Sequence, residues 1–160
     1  MTFQGIWLPY TISQMVFLFL LIASWRWFRV ARMLWIVIFL AVGIFNWTTV
    51  IKEPQAYLMY ADSAVLPLYK NFILGAFAQN PQAYVIPIAI GQILISLLLM
   101  LGRPLFTLGI IGGMIFLLAI MPLGLGSAFP ATLIGAISLF LLSRQENPQH
   151  IFGRWYKKEV

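Results

Sequence analysis

Charged side chains are scarce in this sequence of 160 residues. Asp, Glu, Lys and Arg make up only 9% of it, whereas 62% of the residues are hydrophobic. An average soluble domain has about 25% charged residues, and a domain of this size leaves much of its area exposed to solvent. The scarcity of charge therefore excludes a soluble globular enzyme and a disordered chain.

Cysteine is absent, and the single histidine, His150, lies in the C-terminal tail. Disulfides, thiolate metal sites and iron–sulfur ligation are thereby excluded. We expect no bound metal and no cofactor. The net charge of +6 comes from basic residues that flank apolar runs. Such residues set membrane orientation and contact anionic headgroups, so we expect membrane lipids, and not nucleic acid, as partners.

Five apolar runs predict membrane-spanning helices, since a span needs about 20 residues to cross about 30 Å of hydrocarbon. No residue from Leu105 to Ser143 is charged, and this stretch is too long for one span, so we expect it to fold back at a turn over 122–130. The fifth run is short, and a re-entrant hairpin is its alternative. The sequence predicts an all-α integral membrane protein with a single membrane domain over 1–160. The predicted spans are 6–24, 33–51, 84–101, 105–121 and 129–142.

The loops differ in charge, which predicts the orientation of the chain. Only Lys52 and Lys70 lie on one side, whereas eight of the ten basic residues lie on the other, including those of a basic tail over 143–160. The positive-inside rule then places the N-terminus outside and the C-terminus inside. We expect Trp35 at the inner interface. The eight basic residues are Arg26, Arg29, Arg32, Arg103, Arg144, Arg154, Lys157 and Lys158.

The segment over 52–83 is too apolar for a solvated loop and is interrupted by Pro67. We expect one or two amphipathic helices that lie in the outer interface or cap the bundle. A shallow dip into the membrane over 65–77 is the alternative. Helical spacing would place five residues on one face, namely Tyr57, Tyr60, Ala61, Ala64 and Leu68.

The predicted spans contain no Asp, Glu, Lys, Arg or His, which argues against a pump or an ion-coupled carrier. Among their neutral polar residues, Asn46 lies in the second span, and Gln92 and Ser96 share a face of the third. The simpler interpretation is that these side chains hold helices together through hydrogen bonds. The functional alternative is an outward-facing pocket for a lipophile with one polar handle, such as a quinone or isoprenoid headgroup.

Glu53 and Asp62 are the only acidic residues on the outer side. A carboxylate at the edge of the bilayer could act as an acid or base on a lipid substrate. The plainer interpretation is a solvated charge paired with a nearby lysine. We assign no catalytic residue.

Small residues recur in the fourth and fifth spans. Gly109 and Gly113 form a G-x-x-x-G pattern, and Ala131 and Gly135 lie on one face near the fifth span. Small residues let helix backbones approach closely within a membrane. We expect packing of the fourth span against the fifth, with a dimer or partner interface as the alternative.

The stretch over 33–143 resembles the DoxX-like family of small bacterial and archaeal membrane proteins. The resemblance rests on a span ending in Asn46-Trp47, a long interfacial segment, three close spans, and a Gly102-Arg103 turn before a glycine-rich helix. It implies a four-helix membrane bundle with an added N-terminal span, in a prokaryotic cytoplasmic membrane. Some family members are associated with sulfur or quinone oxidoreductase systems.

The spans combine residues suited to helix packing with an absence of ionisable side chains, and this combination favours a non-enzymatic membrane protein. We expect a multi-pass membrane protein without evident catalytic machinery, serving as an accessory or assembly subunit of a larger membrane complex of respiratory or quinone-linked type. The alternative is a lipophile- or quinone-binding membrane protein or enzyme, and the third hypothesis is a transporter of an uncharged solute.

Overall fold

The computed structural model describes residues 4–144, and these are helical almost throughout. Most of the predicted basic tail, with His150, Arg154, Lys157 and Lys158, lies outside the described residues. Short 3-10 helices cover Pro54–Met59 and Met121–Ser127, and a π-helical turn covers Ile73–Phe77. The α-helices are α1 (Gln4–Arg26), α2 (Phe28–Lys52), α3 (Tyr60–Ser63), α4 (Pro67–Phe72), α5 (Pro81–Met100), α6 (Leu105–Ile120) and α7 (Ala131–Ser143).

Four helical stretches are long and apolar enough to cross a membrane: α1, α2, α5, and α6 together with the 3-10 helix that continues it, Leu105–Ser127. They correspond to the first four predicted spans. The fifth predicted span is α7, which has 13 residues and is therefore only about 20 Å long at 1.5 Å per residue. Residues 4–144 thus fold into helices and turns without strands, as predicted, with four helices that fit a membrane-embedded protein.

Within residues 4–144, five helices form a closed ring. α1 packs against α2, α2 against α5, α5 against α6, α6 against α7, and α7 returns to α1. α1 and α2 form a tight antiparallel hairpin, since only Trp27 separates them. The Phe17 and Trp35 rings meet edge to face across this hairpin. Trp35, Phe39 and Leu139 lie at the centre of the ring, buried almost completely.

Glycines allow the close approach of neighbouring helices in the ring. A methyl group on Gly109 would lie 3.1 Å from the backbone nitrogen of Leu99 in α5, and one on Gly113 would lie 2.8 Å from Leu139 in α7. Gly135 of α7 faces Phe17 of α1 and Trp35 of α2 in the same manner. Ala131 is fully buried. The small residues therefore serve three different helix interfaces, of which α6–α7 is one.

The position of Arg32 shows that the second span was predicted to start too late. α2 begins at Phe28, five residues before the predicted start, so that Arg32 lies inside the helix and is only 4% exposed. Its Nε donates to the carbonyl of Leu99 at 2.7 Å and its Nη2 to that of Leu101 at 2.6 Å. The prediction that the spans lack ionisable residues is wrong here. The last carbonyls of α5 are unsatisfied within their own helix and carry its negative dipole end, so they accept a guanidinium.

The charged residues of the described chain separate between the two ends of the ring. Arg26 and Arg29 lie at the α1–α2 hairpin, next to the end of α5 that Arg32 binds. At this same end the Arg103 Nη2 lies 3.4 Å from the carbonyl of Ser143 in α7. Lys52, Glu53, Asp62 and Lys70 follow the other end of α2. The asymmetry used to predict orientation is therefore present in three dimensions.

Trp35, predicted at the inner interface, directs its side chain into the ring of helices and not toward lipid. The side chain is fully buried, and its indole Nε1 donates to Ser138 Oγ at 3.1 Å. Ser138 Oγ also lies 2.8 Å from Ser24 Oγ and 3.1 Å from the carbonyl of Leu20. A buried indole N–H needs an acceptor, and this network supplies one while it joins α1, α2 and α7.

The segment between α2 and α5 folds back over one end of the ring. Tyr57 and Ala61 are buried there, but Leu68 is 74% exposed, so the prediction that all five residues share a face is wrong for Leu68. The helical path breaks at Leu66, which is extended because Pro67 follows it. Ser63 attaches the segment to the α6–α7 turn, since its hydroxyl donates to the carbonyl of Leu123 at 2.9 Å.

Candidate functional site

A polar layer separates two apolar clusters in the interior. One cluster is centred on Trp35 and Phe39, and the other on Val50 and Val85 under the folded-back segment. Asn46 of α2 lies between Phe39 and Val50 along its helix, and Gln92 of α5 follows Val85 by two turns. The two amides therefore meet between the clusters, where an uncompensated polar group is costly.

The layer consists of Tyr57, Asn46 and Gln92, which we call the polar triad. Asn46 Nδ2 donates to Gln92 Oε1 at 2.8 Å. The Tyr57 hydroxyl lies 3.1 Å from both Asn46 Oδ1 and the Asn46 backbone carbonyl. α2, α5 and the 3-10 helix Pro54–Met59 each contribute one member. Gly43 lets α2 and α5 approach, because a methyl group there would lie 3.1 Å from the carbonyl of Ala89.

Gln92 has an unpaired donor in this arrangement. Its side chain is 1% exposed, and within residues 4–144 its Nε2 has no hydrogen-bond partner. Leaving a buried donor unpaired costs about 1–3 kcal/mol. The Nε2 atom is therefore a position where an acceptor oxygen from outside the chain would be stabilised.

Tyr57 keeps its proton at neutral pH. Burial raises the pKa of its phenol, the neighbouring Tyr60 raises this pKa further, and a hydrogen bond with Thr49 partly opposes the increase. Burial also raises the pKa of Tyr60. Because a neutral phenol has one proton to donate, Tyr57 supplies one hydrogen bond to the triad and can accept others.

Ser96 is not part of the triad. It lies one turn from Gln92 on α5 and is fully buried, but its hydroxyl donates to the carbonyl of Ile36 in α2 at 2.9 Å. This hydrogen bond joins two helices, as the packing interpretation describes. Ser96 therefore has no free donor to direct at a ligand.

Glu53 and Asp62 also lie apart from the triad. Both are exposed, one at the end of α2 and the other in α3. Neither carboxylate forms an ion pair within the part of the chain that the structure describes, so the expected pairing with a lysine is wrong.

Two polar residues near the interior are not identified by the sequence pattern. Helical spacing places Tyr57 only on an amphipathic face, although a hydroxyl on a predicted buried face is itself an indication of a polar partner. Thr132 of α7 is 3% exposed, and its hydroxyl has no partner among residues 4–144. The carbonyl of Ala128, four residues earlier, instead accepts from Gln14 Nε2 at 2.8 Å.

No protein-family model, no curated protein and no solved structure matches this chain. The chemistry of the polar triad therefore carries the functional interpretation. Two amides and a phenol with a raised pKa provide hydrogen bonds but no group that exchanges a proton near neutral pH. Such a set can bind and orient an uncharged polar group between apolar surfaces.

Proposed function

We propose that the protein crosses the membrane five times, with the N-terminus outside, the C-terminus inside and the segment between α2 and α5 in the outer interface. The ring supports five spans because α7 packs between α1 and α6 as a full member. The segregated charges support the orientation. Val65, Leu68 and Leu74 of the segment expose apolar side chains at the same end as Lys70, which is typical of an interfacial position.

Cysteine labelling tests this topology in a chain that has no cysteine of its own. Asp62→Cys in the segment and Gly153→Cys in the tail are treated with a membrane-impermeant maleimide on intact cells. We expect labelling of the first and not of the second. The reverse pattern would show that the orientation is wrong, and labelling of both would exclude an odd number of spans between the two positions.

We propose that the polar triad binds an uncharged lipophile, a membrane lipid or quinone with one polar headgroup, by a hydrogen bond from Gln92 Nε2. The unpaired, buried donor carries this proposal. An apolar tail would meet apolar side chains there, because apolar clusters lie on both sides of the layer. A neutral headgroup fits because a net charge there would have no countercharge in the triad.

The protein purified in mild detergent tests this function when the bound lipids are extracted and identified by mass spectrometry. We expect one lipophile per chain in the wild type and its loss in Gln92→Leu. Gln82→Leu makes the same substitution ten residues earlier on α5 at an exposed position; it removes one 3.4 Å hydrogen bond to the carbonyl of Val50 but no member of the triad, and it should retain the lipophile. Equal retention by both variants would contradict binding at the triad.

A second candidate function is that of an accessory or assembly subunit of a larger membrane complex. The length of α7 supports it: at about 20 Å the helix is shorter than the hydrocarbon layer, and association with a partner is one way to accommodate such a mismatch. Co-purification of a stoichiometric membrane partner would favour this function. Recovery of the protein alone with bound lipid would favour lipophile binding at the polar triad.

Membership in the DoxX-like family is also a proposal. It is supported by the arrangement of α2, α5, α6 and α7, to which α1 adds by packing on α2 and α7. The family would place the protein in a prokaryotic cytoplasmic membrane. Under this assignment α1 is the addition to a four-helix core, so deleting it should leave the α2–α5 hydrogen bond of Asn46 intact.

A further inference from the structure

The polar triad can satisfy its hydrogen bonds in two ways. In the first, the Tyr57 hydroxyl donates to Asn46 Oδ1, Asn46 Nδ2 donates to Gln92 Oε1, and Gln92 Nε2 remains free. Gln92 then offers a donor to a ligand. A carbonyl oxygen is the matching headgroup atom, because it accepts hydrogen bonds and cannot donate them.

The second arrangement follows when both amide groups rotate by 180°, which exchanges their nitrogen and oxygen atoms and leaves the other heavy atoms in place. Gln92 then donates to Asn46, Asn46 donates to the oxygen of Tyr57, and Tyr57 donates to the Asn46 backbone carbonyl, which lies 3.1 Å away. The free atom of Gln92 is now its carbonyl oxygen. Gln92 therefore offers an acceptor, and a hydroxyl is the matching headgroup.

We infer that the triad switches between these arrangements and that the site thereby takes lipids whose headgroup oxygen is either a carbonyl or a hydroxyl. The inference rests on the proposed function and narrows its ligand class to neutral lipids of these two kinds. No bond is made or broken in the switch, and the protein transfers no electron. Only the direction of the hydrogen bonds changes.

Tyr57 is the positioning residue that makes the second arrangement accessible. Asn46 offers the Tyr57 proton two acceptors, both 3.1 Å away, so Tyr57 can donate to either. Replacing Tyr57 by Phe would leave Asn46 Nδ2 without an acceptor in the second arrangement, whereas the first would lose only a donor to Asn46 Oδ1. Because a buried unpaired N–H is less tolerated than an under-satisfied carbonyl, Tyr57→Phe should favour carbonyl ligands.

Asn46→Asp should have the opposite effect. An ionised carboxylate accepts hydrogen bonds and donates none, so at alkaline pH, which keeps this buried carboxyl group ionised, it would accept one hydrogen bond from Tyr57 and one from the Gln92 amide. Gln92 would then be held with its carbonyl oxygen free. The two variants therefore predict opposite changes in ligand preference, which a general loss of stability would not produce.

The test measures binding of tritium-labelled 2-tetradecanone and 2-tetradecanol to the full chain in lipid nanodiscs. We expect the wild type to bind both within about threefold, Tyr57→Phe to weaken the alcohol about tenfold more than the ketone, and Asn46→Asp to reverse this preference. Tyr60→Phe, at the neighbouring ring 6.2 Å from Tyr57, should match the wild type. Gln92→Leu should bind neither probe.

The outcomes separate the switch from the proposed function. Wild-type protein that binds only one probe, or a Tyr57→Phe variant that weakens both equally, would overturn the switch and leave lipophile binding standing. Wild-type protein that binds neither probe at the triad would overturn both.

Discussion

The guanidinium of Arg32 in α2 terminates α5, because its Nε donates to the carbonyl of Leu99 at 2.7 Å. The same group lies 4.8 Å from the centre of the Phe106 ring in α6. One charged side chain thus joins α2, α5 and α6 at the basic end of the helix bundle. An arginine within a membrane helix is tolerated where it meets backbone carbonyls.

Removing the Arg32 guanidinium should lower the stability of the five-helix ring. We expect Arg32→Leu to lose about 3 kcal/mol of unfolding free energy, since hydrogen bonds to charged groups contribute strongly and two carbonyls lose their donor. Arg32→Lys should recover part of this loss, because it keeps the charge but not the planar fork. Thermal unfolding in detergent followed by tryptophan fluorescence measures the effect. Arg29→Leu, at an exposed position, is the control, and an equal loss there would contradict the account.

How far the sequence predicts the fold depends on the kind of interaction. Hydropathy locates α1, α2, α5 and α6, since an apolar run long enough for a membrane does not depend on its neighbours. The start of α2 is missed because Arg32 looks like a loop residue until its acceptors on α5 are known. Those carbonyls come from residues far along the chain, and only packing brings them near.

The sequence identifies residues of the candidate site but does not predict how they are arranged. Asn46 and Gln92 were identified separately, because polar amides inside apolar runs need partners. Their hydrogen bond depends on the register of α2 against α5, which Gly43 helps to set and which no local pattern encodes. Tyr57 reaches Asn46 only because the segment folds back over the ring. Ser96 shares the Gln92 face, yet its hydroxyl is used between helices.

The buried serine network should contribute to stability. Ser138→Ala removes the acceptor of the Trp35 indole and the partner of Ser24. A buried donor left unpaired costs about 1–3 kcal/mol, so the unfolding midpoint should fall. Ser143→Ala is the matched control in the same helix, since among residues 4–144 its hydroxyl bonds only to the carbonyl of Phe140. No difference between the two variants would show that the network is not needed.

Two glycine substitutions should change stability in opposite directions. A methyl group on Gly135 would lie 2.5 Å from Phe17 Cδ1, whereas one on Gly91 has no neighbour within 4 Å. Gly135→Ala should therefore cost about 1–3 kcal/mol through overpacking. Gly91→Ala should gain about 0.5–1 kcal/mol from the better helix propensity of alanine. The unfolding free energies of both variants are measured in the same detergent. Changes of the same sign in the two variants would contradict the helix contacts described for these glycines.

Stability should fall at high pH because of Tyr57 and Tyr60. Burial is the main cause that raises both phenol pKa values in the folded chain, so the unfolded chain ionises first. Their contribution is fully present below about pH 10, the ordinary tyrosine pKa, and is lost as the pH rises further. The Tyr57→Phe, Tyr60→Phe double variant should lose less stability between pH 9 and 11 than the wild type, as measured by thermal unfolding. An identical pH dependence would contradict their burial.

The state of the Gln92 side-chain amide tests the central proposal most directly. Nitrogen-15 labelling of glutamine, with Gln92→Leu to assign the signal, allows its amide resonances to be followed by NMR in the lipid-bound and delipidated protein. We predict that the Gln92 resonances shift when lipids are removed and return when the extracted lipophile is added back, while those of Gln82 stay unchanged. Gln92 resonances that are the same with and without lipid would contradict the proposal that Nε2 binds a ligand.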